Sequence, residues 1–378
     1  MRTWFRIGLI ALVAFQFPLG VSEASARQPD NQELTVFLNR AIETRGHYLI
    51  LGEKVDLDTY YIRSDKSSMA ALEHEKKRHR YLDAWALKRN LQFIDCYNEI
   101  RIVRYKVQAD TANVVFIVRQ RLGYVNMKNM LQPQRFGLGT RHVMTLKKKK
   151  NEWRISREWY LDPLDENPAL IADHQFHPEN AGSEDRQDQE PKRHDSEKTR
   201  ARYDRDKAVR YADKYAGLAW GAGNNNRYNQ KYRDYTGVGG DCTNFVSQVL
   251  GDPEEGGGLP LTPRWYAGPA GGSEAWVRTD GLKHFLLNSG YARLKDKGTF
   301  EHIVKQTNEH PLGAIRELRP GDLIGYELKK GDVDHFSVIV GFDDNGYPLV
   351  NCHTTDRYRV PFDLGWDKKT NYLLFSIK

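Results

Sequence analysis

Cysteine is scarce in this chain: Cys96, Cys242 and Cys352 are the whole supply among 378 residues. So few thiols exclude a disulfide framework, and no Cys-x-x-Cys pair is present to suggest a metal knuckle or redox motif. Long apolar runs are equally rare. Only Ile7–Phe17 stands out, and it is too short to span a bilayer comfortably. Neither sign of charge dominates: 57 Lys and Arg against 50 Asp and Glu leave a formal charge of +7. The basic residues are interspersed with acidic ones and form no aromatic-studded stripe, which excludes nucleic acid as the expected partner. A mild basic excess suits adhesion to anionic cell-wall polymers, though it is equally compatible with no such role.

Residues 1–26 read as a secretory signal. Arg2 and Arg6 precede the apolar stretch, and Ala24-Ser25-Ala26 supplies a small-residue cleavage site before Arg27. No nearby cysteine could take a lipid, so the expectation is an exported mature chain without an integral span, extracellular or cell-wall associated, or periplasmic if the host has an outer membrane. An uncleaved anchor is the alternative.

Residues 27–163 read as a separate unit. Leu34, Phe37, Leu38, Ala41, Ile42, Tyr48 and Leu49 keep helical spacing, and a second helical pattern runs from about 67 to 91. Strand-like runs follow at 99–108, 113–122, 141–147 and 153–161. Helices followed by a strand meander argue α+β, with the helices on one face of a curved antiparallel sheet. That order resembles the cone-shaped nuclear-transport-factor-like fold. With no nucleophile–base constellation, the unit is expected to serve packing, adhesion or dimerisation. Residues 164–200 read as a charged linker, because from His177 to Arg200 no aromatic and no aliphatic side chain larger than Ala is available to bury.

The most informative segment is Gly239-Gly240-Asp241-Cys242-Thr243-Asn244-Phe245-Val246-Ser247-Gln248. Two glycines permit a tight turn and Asp241 is a good N-cap, after which Phe245, Val246, Val249 and Leu250 recur at helical spacing. Cys242 therefore falls in a first helical turn, where unpaired N–H groups and the helix dipole favour a thiolate. A buried structural thiol is the competing reading. Downstream, Pro320-Gly321-Asp322 turns into a strand at 323–328, and Asp334–Phe342 alternates as a second strand containing His335. A return strand at 347–355 carries Cys352 and His353. A loop of three or five residues would place His335 and His353 on one face, with Cys352 in the core. Trp265, Tyr266 and Trp276, in and beside a Gly- and Pro-rich loop, read either as aromatic walls of a cleft or as edge packing.

These boxes resemble the papain-like NlpC-type cell-wall peptidases and CHAP amidohydrolases, and more closely the bacterial putative amidase domain family. The resemblance rests on Asp241–Gln248, Ala208–Ala212, Trp265, Trp276, Pro320–Asp322, Asp334–Ser337 and Cys352–Asp356, and covers residues 201–378. It implies a papain-like α+β catalytic domain with an antiparallel sheet and the cysteine at a helix N-terminus. Cys242 would be the nucleophile, His335 its base, and His353 a neutral third residue accepting from His335. The implied activity is amide hydrolysis, with peptidoglycan-type peptides as substrate, no cofactor and no metal. Cell-wall NlpC-type enzymes commonly carry Asp-Cys-Ser-Gly where this chain has Asp-Cys-Thr-Asn, which bears on the substrate rather than the nucleophile. Asn226 and Tyr228 are candidates for a second oxyanion donor. The reading from another class is a catalytically silent module of the same fold that binds cell-wall peptide.

Overall fold

The computed structural model describes residues 32–173, 203–268 and 270–378. The expected signal segment and the expected linker from residue 174 onward lie outside the described residues. The described chain is α+β and is built on antiparallel strand pairs.

Its first part contains α1 (Gln32–Leu51) and α2 (Lys66–Lys88), then β1 (Leu91–Gln108), β2 (Thr111–Asn126), β3 (Asn129–Lys149) and β4 (Glu152–Tyr160). Asp65 caps α2, its carboxylate accepting from the N–H groups of Ser67 and Ser68, which satisfies two of the helix's orphan donors. The apolar stripe of α1, Leu34, Leu38, Ala41 and Ile42, is buried in one cluster with Val114, Phe116, Met144 and Ile155 of the sheet. Beneath it Arg45, Glu75, Arg78, Glu158 and Asp162 form a buried ionic cluster in which each guanidinium meets carboxylates. Periodicity could not reveal that cluster, because its members come from α1, α2, β4 and the segment after β4.

The second part runs through α3 (Arg205–Lys214), α4 (Cys242–Gly251), a small hairpin of β5 (Ala267–Gly268) and β6 (Gly271–Gly272), α5 (Glu274–Val277) and α6 (Thr279–Ser289). Then follow β7 (Ala292–Thr299), α7 (Phe300–Val304), β8 (Leu323–Lys329), β9 (Asp332–Phe342), β10 (Pro348–Cys352), β11 (Asp356–Pro361) and β12 (Asn371–Ile377). One sheet face packs Phe336, Val338 and Val340 against Phe245, Val246 and Val249 of α4, with Trp265, Trp276 and Phe285 in the same cluster. The other face packs Tyr326, Ile339 and Val350 against Phe300, Ile303, Ile315 and Phe362.

The two parts share a sheet. Among the described residues, ten strands join in the order β1-β2-β3-β11-β10-β9-β8-β12-β7, with β4 also beside β3. The splice works because β3 is 21 residues long. One edge pairs with β2, while the other pairs with β4 through residues 142–149 and with β11 through Gly137, Leu138 and Gly139. Glycine is required at this crossing. A Cβ on Gly137 would lie 1.9 Å from the Trp220 carbonyl oxygen, and one on Gly139 would lie 2.4 Å from the Leu218 carbonyl carbon. The first residues of the expected linker are also part of the packing. Leu164 and Ile171 are buried with Trp85 and Phe136, and the Leu170 carbonyl accepts from Lys368 N–H at 2.7 Å. The compositional signal for a linker starts only at His177, after these aliphatic anchors.

A buried ion pair ties the end of α2 to the loop after β11. Arg89 lies 2.7 Å from Asp363, with side chains 1% and 3% exposed, and Asp363 also accepts from Trp85 Nε1 and the Tyr347 hydroxyl. Truncating one partner strands a desolvated charge, so Arg89→Met should destabilise the protein by about 3–5 kcal/mol. Equilibrium denaturation in urea, followed by both tryptophan fluorescence and circular dichroism, measures the effect. A loss below about 1 kcal/mol would show that the pair does not join the two parts.

Candidate active site

The helix α4 begins at Cys242, and its first intrahelical bond runs from Phe245 N–H to the Asp241 carbonyl at 2.9 Å. The backbone enters it through Gly239 and Gly240 at φ of 109° and 121°, a region that suits glycine. Asp241 occupies the N-cap position without a side-chain cap bond. Its carboxylate is used elsewhere: Oδ1 accepts from Tyr235 N–H and Asn244 Nδ2, and Oδ2 lies 2.6 Å from His353 Nδ1. Asn244 in turn accepts from Trp276 Nε1 at 2.9 Å, a structural role that explains why an amide sits two residues past the cysteine.

Cys242 is buried, 7% exposed, with its sulfur 3.8 Å from Thr243 Oγ1 and within hydrogen-bond reach of the Phe336 N–H. The helix start thus abuts β9 at the residue immediately after His335. Burial raises the thiol pKa, while the Phe336 N–H and the Thr243 hydroxyl pull it down, and the net direction is upward. The expectation of a thiolate favoured by the helix terminus therefore gives way to a neutral thiol, because desolvation outweighs the N–H groups.

His335 is 8% exposed and lies beside Tyr326 and Trp366, ring centroids 5.7 and 5.6 Å away. Burial, with the positive charges of Arg357 and His353 adding to it, lowers its pKa to about 3, so the imidazole is neutral. Its Nε2 is buried without a hydrogen-bond partner among the described residues.

His353 does not accept from His335. Its Nδ1 meets Asp241, and its Nε2 lies 2.6 Å from the Tyr215 carbonyl, so both nitrogens face acceptors and the ring is an imidazolium donating to each. Burial opposes that charge, but the Asp241 and Asp356 carboxylates and the Tyr215 carbonyl outweigh it and raise the pKa. The ring is sandwiched between Phe245 at 4.0 Å and Tyr228 at 4.1 Å, near-parallel to both.

The sheet register explains the separation. The β9–β10 connection spans five residues, with Phe342 paired to Pro348 and Gly341 to Leu349, a length that would match the two histidines on one face. Then Val350 pairs with Ile339, not Val340, so β9 carries an extra residue. One bulge reverses the facing of everything beyond it. His353 consequently stacks on the α4 side, whereas His335 lies with Tyr326 of the opposite cluster.

The aromatic candidates resolve in favour of packing. Trp265 and Trp276 are 0% and 1% exposed, their rings tilted against one another with centroids 4.9 Å apart, and their indole N–H groups donate to Ser247 and Asn244. Tyr266 remains exposed. Tyr228 donates its hydroxyl to Asp356 at 2.8 Å, which removes it as a free oxyanion donor. Cys352 is fully buried, its Sγ donating to the Thr355 carbonyl. Asp356 is the residue the sequence reading passed over as a centre. It accepts from Leu218 N–H and Tyr228 and lies 3.7 Å from Arg141 of β3. No group of His, Cys, Asp and Glu able to hold a metal is present among the described residues.

Residues 202–375 match the model of a family described as "Putative amidase domain". No curated protein matches the chain. Among solved structures, the intermembrane space region of chloroplast protein ARC6 aligns at 10% identity and a TM-score of 0.27, covering 35% of this chain and 98% of that one. A periplasmic fragment of TraM aligns at 16% identity and a TM-score of 0.22, covering 36% of this chain and 99% of that one. Likenesses this slight carry no argument.

Two outcomes check the electrostatics. Iodoacetamide labelling of Cys242 in the folded protein should accelerate with pH to a midpoint above the free-thiol value of about 8.5, whereas a midpoint near 7 would reveal a stabilised thiolate. The His353 imidazolium contributes stability in full below its unfolded pKa of about 6.5, and that contribution fades as pH rises through its higher folded value. The melting temperature of wild type should therefore fall toward that of His353→Gln as pH rises from 6 into the alkaline range. A gap that stays constant over this range would rule out the charged form.

Proposed function

We propose that this putative amidase domain hydrolyses amide bonds by a cysteine mechanism on a papain-like scaffold, with Cys242 as nucleophile and His335 as base. The observation that carries the reading is the seating of the Cys242 sulfur at the start of α4 against the Phe336 N–H, one residue from a neutral His335. A neutral thiol and a neutral imidazole suit general-base activation, in which His335 takes the thiol proton as sulfur attacks the carbonyl carbon. The sulfur–carbon bond forms, the carbon–nitrogen bond breaks, and the leaving amine receives the proton from His335. Water, deprotonated by the same ring, then cleaves the thioester. The Cys242 N–H, ahead of the first intrahelical bond, is available to the oxyanion. The mechanism requires the His335 ring, which packs beside Tyr326 in the free protein, to reach the Cys242 sulfur in the substrate complex. His353 acts on Asp241, holding the residue before the nucleophile.

The substrate class we assign is peptide amides of the peptidoglycan type, reached by export through the basic and apolar N-terminal segment. A second reading, a silent peptide-binding module, draws on one observation: the hydrogen-bond partners of the Cys242 sulfur are Thr243 and Phe336 rather than an imidazole.

Mass spectrometry of peptidoglycan fragments after digestion separates the two. Wild type should release amide-cleavage products, Cys242→Ala should release none, and His335→Ala should lose about 10²–10⁴ in rate. Because His335 titrates near 3, kcat/KM should hold level from pH 7 down to about 4 rather than declining at the ordinary imidazole value of about 6.5. Undiminished cleavage by Cys242→Ala would refute the nucleophile, and peptide binding without any cleavage by wild type would establish the module.

A further inference from the structure

The family match begins at residue 202, yet the charge network behind Cys242 does not stop there. Asp241 precedes the cysteine and is bound to His353. The His353 ring rests on Tyr228, whose hydroxyl donates to Asp356. Both Tyr228 and Asp356 are then met from outside the family domain by one side chain. Arg141 Nη2 donates to the Tyr228 hydroxyl at 3.0 Å, and its Nη1 lies 3.7 Å from Asp356 Oδ2. The guanidinium also sits over the Tyr228 ring, 5.6 Å from its centroid.

The splice of β3 to β11 imposes this placement. Gly139 pairs with Asp356, so Arg141, two residues further along β3, emerges beside that carboxylate. The same crossing seats Leu218 and Trp220 against Gly139 and Gly137, and Leu218 N–H is the second donor to Asp356 Oδ2 at 2.8 Å. Asp356 is completely buried. Burial raises its pKa, and the two cations that oppose this without reversing it are His353 and Arg141. Acidic and basic groups therefore alternate from the nucleophile outward: Asp241, His353, Asp356, Arg141. Removing the last leaves the buried Asp356 with one opposing cation instead of two and pushes it further toward its neutral form, so the imidazolium loses part of what holds it.

We infer that Arg141 of the N-terminal part is a positioning residue for Cys242, acting through Tyr228, Asp356 and His353 on the residue that starts the nucleophile's helix. The N-terminal part thus contributes to the site itself. The inference rests on the amidase reading only for its effect on turnover, since the network exists whether or not the thiol is catalytic.

The test uses the full chain with Arg141→Gln, Arg141→Lys and, as a control for sheet packing on the neighbouring strand, Arg119→Gln. Arg119 pairs with Glu99 and takes no part in the network. The first readout is the exchange with solvent of the His353 ring N–H protons by NMR, which requires no substrate. Arg141→Gln should speed that exchange by about tenfold, Arg141→Lys should restore most of the protection, and Arg119→Gln should match wild type. The second readout is turnover of a peptidoglycan peptide. There kcat should fall by about tenfold in Arg141→Gln with KM unchanged, because Arg141 orders the nucleophile and does not touch substrate. Wild-type ring-proton exchange in Arg141→Gln would overturn the inference whatever the turnover shows. A changed exchange rate in a protein that cleaves no amide would uphold the network and remove the amidase reading instead. Equal loss in Arg141→Gln and Arg119→Gln would reduce the effect to general sheet stability and would likewise overturn it.

Discussion

Three residue pairs between β3 and β11 are the constraint from which the rest of the architecture follows. They convert two sheets into one, and they are possible only where Gly137 and Gly139 let the 218–220 backbone lie directly on the strand. Once that contact is made, α2 is brought over the loop after β11, where Arg89 and Trp85 converge on Asp363. A desolvated ion pair of this kind has little net stabilising effect compared with apolar packing, but it tolerates no misalignment. It therefore fixes how the two parts are set against each other, while the cluster joining Trp85, Phe93 and Phe136 to Val360 and Leu364 supplies the apolar burial.

Around Cys242 the balance is between burial and a small number of directed charges. Helix-terminal N–H groups are not sufficient to hold a thiolate once the sulfur is almost fully enclosed, so the thiol pKa moves upward. Enclosure likewise keeps His335 neutral. For His353 the outcome reverses, because two acceptors and two carboxylates surround a ring that would otherwise lose its proton. Two histidines with similar burial thus take opposite charge states, and the difference lies entirely in what each ring nitrogen meets.

Much of this was readable from residue patterns. The spacing of Leu34, Leu38, Ala41 and Ile42 marked α1, and the Phe245, Val246 and Val249 stripe marked α4 with Cys242 in its first turn. The alternation through Phe336, Val338 and Val340 marked a core face of β9, which the structure packs against α4. Asn244 plays a structural part that local pattern does not reveal, since its partner Trp276 lies 32 residues away. The expected alignment of His335 with His353 failed because it depended on a single residue of register. The extra residue at Val340 separates His335 from His353, and no local signal in Val338-Ile339-Val340-Gly341 announces a bulge. The aromatic loop was ambiguous for a related reason, since Trp265 and Trp276 are buried by partners on α4 and α6 rather than by their own neighbours.

The sequence by itself determined the local elements, the α+β class and the position of the cysteine, because helix starts, strand alternation and turns depend on residues within a few positions of one another. Tertiary structure alone decided that the two parts share a sheet, that His353 binds Asp241, and that Arg141 stands behind Asp356. Those outcomes depend on which strand edge finds which and on where one bulge falls. Long-range pairing sets both, and no spacing along the chain encodes it.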